Sequence, residues 1–209
     1  APLERIKTFV DGDEPRADDV WQSLSEMGIP GLLIAEEHGG IGLSLIDAAL
    51  VAETLGAHIA PSPFVATAVV APLAIESAGS TEQRARWLPQ LAEGTRIAGA
   101  AITEAVSSRL DAQVRYDGHT LSGKTLFVLD FEADLYLIAD EHRALYLIDA
   151  DAPGLDRRVL TTVDKTRRVG ELVLDNVAAA RLPGSSDPEV CARLIDAARI
   201  VLAADTLGA

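Results

Sequence analysis

The chain has 209 residues, of which 48% are hydrophobic and 24% are charged, a composition typical of packed globular proteins and not of disordered ones. At about 150 residues per domain, this length predicts one or two domains. The formal net charge of −14 argues against a nucleic-acid-binding protein, because binding to phosphates depends on clustered Lys and Arg. The excess of acidic residues is better explained by solubility than by a specific function.

The sequence contains no pattern expected of a membrane or exported protein. The longest apolar stretch, 64–75, is interrupted by Thr67 and Pro72 and falls short of the roughly 18–20 residues that a membrane-spanning helix needs. The opening residues do not have the charged and apolar regions of a signal peptide. Cys191 is the single cysteine, so neither an intrachain disulfide nor a cysteine-based zinc site is expected. These features predict a cytoplasmic protein.

The N-terminal part of the chain has the apolar spacing of helices. Trp21, Leu24 and Met27 recur every three residues, which predicts one buried helical face. Asp18 lies just before this face and can accept backbone N–H bonds at the start of the helix, and Gly28 is expected to end it.

Further helices are predicted over 44–55 and 61–78, and another from Thr81 to just beyond Pro89. Ser44 has the side chain of an N-cap, and Gly56 is the predicted stop of that helix. Alanine and valine surround the helix over 61–78 on nearly all sides, which predicts that it is buried.

The middle of the chain has the spacing of strands. Asp117 and Gly118 together form a strong hairpin turn signal. Short apolar stretches on both sides of this turn predict strands over 97–103, 113–116, 120–121, 125–129, 135–139, 144–148, 159–163 and 171–173. This many closely spaced strands predicts a small antiparallel barrel or sandwich.

The last segment predicts a helix that starts at Asp187 and Pro188 and whose apolar positions continue to the final residue. We expect this helix to have no stop and no partner within the chain. The predicted fold class is therefore α+β, with an N-terminal helical domain at 1–95 and a middle antiparallel β domain at 96–184. Residues 185–209 are predicted to be the first helix of a further helical domain.

Self-contained catalytic machinery is not evident in the sequence. The four histidines are scattered, without the spacing of a metal site, so no metal ligand is assigned. Cys191 is interpreted as a buried structural thiol. The basic pairs at 157–158 and 167–168 could line an anionic pocket, but solvated hairpin edges are the favoured explanation.

Several motifs occur in an order that carries more information than any one of them. Residues 21–42 read W-x-x-L-x-E-x-G-I-P-G-L-L-I-A-E-E-H-G-G-I-G, and 79–83 read G-S-T-E-Q. Residues 101–104 read A-I-T-E, 121–124 read L-S-G-K, and 174–177 read L-D-N-V. Together these motifs resemble the acyl-CoA dehydrogenase family over essentially the whole chain.

The resemblance implies an FAD enzyme that forms a trans-2,3 double bond in an acyl-CoA thioester. In that family a glutamate removes the α-proton and the β-hydride passes to flavin N5, while hydrogen bonds to the thioester carbonyl stabilise the developing enolate. The family's general base lies beyond residue 209, so no catalytic residue is assigned. Glu104 and Glu132 are interpreted as parts of the fold signature. A dimer or a dimer of dimers is implied.

The resemblance also implies a set of flavin-binding positions. Ile102 and Thr103 match the segment that contacts the pyrimidine edge of the flavin, and Phe127 matches the aromatic residue near the ring. Leu129 falls where Thr or Ser normally donates a hydrogen bond to flavin N5 or O4, and leucine cannot donate one. Ala100 falls where the family often has an aromatic residue. For Ile102 and Phe127, plain strand packing is the alternative explanation.

A neighbouring loop also departs from the family pattern. The usual T-E-P-G-x-G-S-D is replaced here by T-E-A-V-S-S-R at 103–109, without its glycines. Either Ser107 or Ser108 could take the place of the missing serine.

These departures lead to competing hypotheses. The favoured one is a subunit of an FAD-dependent acyl-CoA dehydrogenase with an impaired flavin site, paired with a homologous subunit as in heteromeric family members that act on CoA thioesters of steroid side chains. An active dehydrogenase represented only by its N-terminal part is the second hypothesis, and a flavin-using hydroxylase of the same fold is a minor one. A non-catalytic structural or interaction subunit is the alternative from another functional class. The acyl group is not identified.

Overall fold

The computed structural model describes residues 2–106 and 112–209. Helices occupy the first part of the chain and its end, and strands lie between them, as the sequence predicts. The helices are α1 (Leu3–Asp11), α2 (Asp18–Glu26), α3 (Leu45–Ala57), a π-helical segment (Val65–Val70) that continues into α4 (Ala71–Ala78), α5 (Thr81–Ala92) and α6 (Pro188–Gly208). Among the described residues, no helix is both long and apolar enough to cross a membrane.

The predicted apolar face of α2 is correct for two of its three residues. Trp21 and Leu24 are buried, whereas Met27 is 63% exposed, so the prediction for Met27 is wrong. The helix ends one residue before Met27, and Gly28 then turns the chain with φ +77°. Asp18 is the first helical residue and not the cap, because its carboxylate pairs with Arg16 instead.

The helix α3 begins as predicted but does not end where expected. Ser44 precedes the helix and forms a capping box with Asp47, whose carboxylate accepts the Ser44 amide at 2.9 Å. Gly56 is not the stop, since α3 continues to Ala57. Gly56 instead permits close approach of α6, because a Cβ at this position would overlap the carbonyl of Asp205.

The helix predicted over 61–78 ends at Ala78 as expected but begins only at Val65, and its first half is π-helical. All six residues of that half are buried, including the polar Thr67. The Thr67 hydroxyl lies 3.2 Å from the carbonyl oxygen of Ala98 and accepts the amide of the same residue at 3.0 Å. This side chain thereby joins the helices to the first strand.

The strands in the described part of the chain form two four-stranded sheets. The first has the order β1-β4-β5-β8 and the second the order β2-β3-β7-β6. The strands are β1 (Ala98–Ala101), β2 (Gln113–Tyr116), β3 (Thr120–Val128), β4 (Leu135–Ala139), β5 (Leu145–Asp149), β6 (Leu155–Val159), β7 (Gly170–Ala178) and β8 (Ala180–Arg181).

The described strands pair antiparallel, as predicted, except for β1 and β4. Within the described residues, β1 pairs with β4 in parallel, and the sheets do not close into a barrel. The predicted strands over 120–121 and 125–129 are one strand, β3, whose pairing with β7 shifts register between Thr125 and Val128. The strand predicted over 159–163 is placed too late, because β6 spans Leu155–Val159.

The expectation that the last helix lacks a partner is wrong. The helix α6 packs along α3, with Gly56 against Asp205 and Gly208 against the backbone of Glu53. Asp187 caps α6 by accepting the Glu189 amide at 2.9 Å. Cys191 is fully buried on the inner face of this helix, and burial raises the pKa of its thiol, as expected of a structural residue.

Candidate functional site

The structure brings together the two segments that hold the predicted site residues. Ile102 and Thr103 follow β1, whereas Phe127 and Leu129 lie at the end of β3. Leu129 pairs with Ala100 through two backbone hydrogen bonds of 2.9 and 3.0 Å. The Thr103 hydroxyl donates to the Leu126 carbonyl at 2.6 Å. The predicted residues therefore share one region between the two sheets.

The four predicted residues differ in what they can offer to a ligand. Ile102 is 3% exposed. Its side chain is aliphatic, so only its backbone could make a polar contact. Leu129 is partly buried, and its N–H and C=O are both engaged with Ala100. Thr103 has one hydroxyl proton, which the short bond to Leu126 occupies. Phe127 is 43% exposed and presents an aromatic side chain at the surface.

Phe127 lies in a β-bulge. Between Thr125 and Val128, β3 contains one residue more than the facing segment of β7. Phe127 has φ +53°, in the left-handed region that a residue with a Cβ seldom adopts. The bulge turns Phe127 outward between Thr125 and Val128, which are both buried.

Glu104 is a residue of this site whose role the sequence did not predict. One carboxylate oxygen accepts the Leu126 amide at 2.8 Å, and the other accepts the Thr125 hydroxyl at 2.6 Å. Glu104 and Thr103 together bond to both the N–H and the C=O of Leu126, the residue before Phe127. The T-E dipeptide was the available signal, but its partners 21 and 22 residues away become evident only in the folded chain.

The described residues fit a flavin ring in part. Phe127 supplies an exposed aromatic surface, and the Thr103 segment lies beside it. The hydrogen-bond donor expected at position 129 is missing, because the side chain is aliphatic and the amide is engaged. The predicted replacements Ser107 and Ser108 lie outside the described residues.

Asp130 lies next to this region and joins the helices to the β region. Its carboxylate accepts the Ala66 amide in the π-helical segment at 2.7 Å. Burial raises the pKa of Asp130 to about 6, although Arg167 acts in the opposite direction. Arg167 in turn forms an ion pair with Asp205 of α6. The Asp130 carboxyl group therefore lies where the β region, the π-helical segment and α6 meet.

The basic pairs are largely neutralised by neighbouring acids. Arg157 pairs with Glu132 at 3.2 Å, and Arg158 pairs with Asp156 and Glu171. Arg167 and Arg168 line a small cleft, but Arg167 is already paired with Asp205. These contacts favour the interpretation as structural salt bridges over that of an anionic pocket.

Histidines do not form a site in the described part of the chain. The His58 Nδ1 lies 2.9 Å from the Thr54 carbonyl of the same helix, and the side chain of His142 is 82% exposed. Across residues 2–106 and 112–209, no group of three or more His, Cys, Asp or Glu side chains could hold a metal ion.

Comparison with known proteins shows which protein family the chain resembles. Residues 4–95 match the model of the acyl-CoA dehydrogenase N-terminal domain. The chain belongs to the acyl-CoA dehydrogenase family. Mitochondrial isobutyryl-CoA dehydrogenase from Dictyostelium discoideum is 29% identical to it, over 73% of this chain and 41% of that protein.

Solved structures extend the likeness to the β region and α6. A variant of the Tcur3481–Tcur3483 steroid ACAD is 32% identical, with a TM-score of 0.85, and the match covers 98% of this chain and 57% of that one. The ChsE4–ChsE5 complex from Mycobacterium tuberculosis has the same TM-score of 0.85 at 24% identity, over 98% of this chain and 57% of that one, a likeness of fold. This acyl-CoA dehydrogenase family chain thus spans about half the length of the proteins that it matches.

Proposed function

We propose that this chain is a subunit of an FAD-dependent acyl-CoA dehydrogenase that introduces an α,β double bond into an acyl-CoA thioester, and that its own flavin site is impaired. The observation that carries this proposal is Leu129, which has neither a side-chain donor nor a free amide at the position where the family donates to the flavin. When bound, the flavin would accept the hydride from the substrate.

The size of the expected defect is consistent with impaired and not abolished binding. Loss of one hydrogen bond to a buried group weakens binding by about 1–3 kcal/mol, or roughly 5- to 150-fold in Kd. Phe127 retains the aromatic surface, and Ile102 and Thr103 retain the segment that would face the pyrimidine edge. These three residues and Leu129 are the proposed cofactor-binding positions.

No catalytic residue is assigned within the chain. Glu104 accepts hydrogen bonds from Thr125 and Leu126, and Glu132 is paired with Arg157, so both carboxylates have structural partners. This supports a general base located elsewhere in the full assembly.

The proposed partner is a homologous acyl-CoA dehydrogenase subunit, and the proposed substrate is an acyl-CoA. The similarity to Tcur3481–Tcur3483 and to the ChsE4–ChsE5 complex supports a heteromeric assembly. A steroid-derived acyl group is proposed on the same basis. A cytoplasmic location and the domain bounds 1–95, 96–184 and 185–209 stay predictions.

A second candidate function is a non-catalytic subunit that retains only the fold. It is favoured by the Thr103 hydroxyl, whose proton is already donated to Leu126 within the chain. This hydrogen bond within the chain stabilises the fold whether or not a flavin is present.

The visible absorption spectrum separates these functions. The chain is purified alone and together with a co-encoded homologue, and both preparations are examined for flavin bands. We expect colour in the mixed complex and none in the isolated chain. A yellow isolated chain would refute an impaired site, and a colourless mixed complex would favour the non-catalytic subunit.

A further inference from the structure

The bulge at Phe127 is held by side chains from outside its own sheet. The Leu126 N–H donates to Glu104, and the Leu126 C=O accepts the Thr103 hydroxyl. Both peptide groups of Leu126 are therefore bonded to the turn over Thr103–Ala105, while the register of β3 against β7 is broken at this point. Leu126 directly precedes Phe127, so these bonds fix the chain at the entry to the bulge.

A positive φ at phenylalanine needs such support. Bulges of this kind usually place glycine in the left-handed region, because a Cβ makes that conformation unfavourable. A strained residue persists only when the surrounding structure holds it in place. Phe127 and Asp130 both have positive φ, +53° and +51°, so the whole connection after Leu126 has an unusual backbone path.

The charge of Glu104 suits this role. Its two oxygens face donors, the Leu126 amide on one side and the Thr125 hydroxyl on the other. An ionised carboxylate is purely an acceptor and satisfies both. Glu104→Gln would keep an oxygen for the Leu126 amide and could donate its NH2 group to the Thr125 hydroxyl, which also accepts. Glu104→Leu has a similar volume and removes both acceptors.

We propose that Glu104 is a positioning residue, which fixes Leu126 and thereby holds Phe127 outward as the surface on which the flavin ring docks. Glu104 acts through Phe127 and does not touch the cofactor in this role. The inference rests on the proposed function, because it requires that a flavin binds beside Phe127. It accounts for an exposed phenylalanine with positive φ two residues before Leu129, whose side chain has no donor.

The test compares Glu104→Leu with Glu132→Leu in the complex of this chain with its homologue. Glu132 lies in the same β region but pairs with Arg157 and not with Leu126. Hydrogen exchange of the Leu126 amide reports its bond to Glu104. Titration with FAD, followed by flavin fluorescence and visible circular dichroism, reports the affinity for the flavin and the position of its ring. Glu104→Leu is expected to lose Leu126 protection, to raise the Kd for FAD about tenfold and to alter the flavin dichroism. Glu132→Leu is expected to change none of these.

Several outcomes would overturn the inference. Retained protection of the Leu126 amide in Glu104→Leu would show that Glu104 does not hold Leu126. Lost protection with unchanged FAD affinity and dichroism would show that this contact does not position the ring. A wild-type complex that binds no FAD would remove the proposed function itself, before any variant is compared. Should Glu104→Leu fail to fold, Thr125→Val removes a single donor to the same carboxylate, and a Kd for FAD that it leaves unchanged would equally overturn the inference.

Discussion

Gly56 of α3 lies directly against Asp205 of α6, and a methyl group at position 56 would overlap the Asp205 carbonyl. Gly208 has the same relation to the Glu53 carbonyl on the opposite helix. Since 53 and 56 face 208 and 205 in reverse order, the two helices run antiparallel at their contact. The two glycines thus allow the last helix to rest on the N-terminal helices at a short backbone separation.

Replacing Gly56 by alanine should destabilise the chain. Alanine favours a helix interior by about 1 kcal/mol over glycine, but overpacking costs about 1–3 kcal/mol. The overlap involves a backbone carbonyl, which no change of rotamer can move, so the loss should exceed the gain. Urea unfolding should show a lower midpoint for Gly56→Ala. Thr54→Ala, on the exposed side of α3, should stay within about 0.5 kcal/mol of wild type. A Gly56→Ala variant as stable as wild type would contradict the packing of α6 on α3.

Asp130 should make the stability of the chain depend on pH. Its pKa is raised by burial to about 6, above the value of 3.8 for a free aspartate. The folded state therefore holds the proton more tightly than the unfolded chain does. The stabilisation is fully present below pH 3.8 and is lost as the pH rises through about 6, with a total of at most about 3 kcal/mol.

Asp130→Asn should remove this dependence. The amide oxygen can still accept the Ala66 N–H, while the buried charge is gone. We expect the variant to be more stable than wild type at pH 8 and to show a flatter free energy of unfolding between pH 4 and 6. Chemical denaturation across this range measures both effects. An unchanged slope in Asp130→Asn would show that another group titrates there.

Helical periodicity and caps predicted most of the N-terminal part because these signals are local. Ser44 and Asp187 flank α3 and α6 as their side chains suggest, and Trp21 is buried at its predicted place. The prediction for Gly56 is wrong, because a glycine can either end a helix or allow close packing of a neighbouring helix. Only the position of α6 distinguishes these two roles. The exposed Met27 shows that spacing alone extends an apolar face beyond the end of a helix.

The β region and the candidate site were less predictable because they depend on distant pairings. The parallel pairing of β1 with β4 joins Ala98 to Leu135, and no local pattern marks it. The resemblance to the family selected Thr103 and Phe127, which the structure brings into one region. The sequence does not predict the structural role of Glu104, because its contacts with Thr125 and Leu126 form only in the folded bulge.

A capping box begins α5. The Ser80 hydroxyl accepts the Gln83 amide at 3.2 Å, and the Gln83 side chain accepts the Ser80 amide at 2.9 Å. Ser80→Ala should lower the free energy of unfolding by about 1 kcal/mol. Ser77→Ala serves as the control, because Ser77 bonds to the carbonyl four residues earlier within a helix and stabilises it little. Equal stabilities in thermal unfolding would show that the capping box does not contribute.

Leu129→Thr tests whether one side chain accounts for the proposed impairment of the flavin site. The backbone bonds to Ala100 would be kept, and the new hydroxyl would restore the donor that the family has at this position. If the missing hydrogen bond is responsible, the Kd for FAD in the mixed complex should fall by roughly 5- to 150-fold, as for a gain of about 1–3 kcal/mol. Val163→Thr makes the same kind of change at a fully exposed position and should leave the Kd as it is. An unchanged Kd in Leu129→Thr would instead assign the defect to the altered loop at 105–109, whose glycines are absent from this chain.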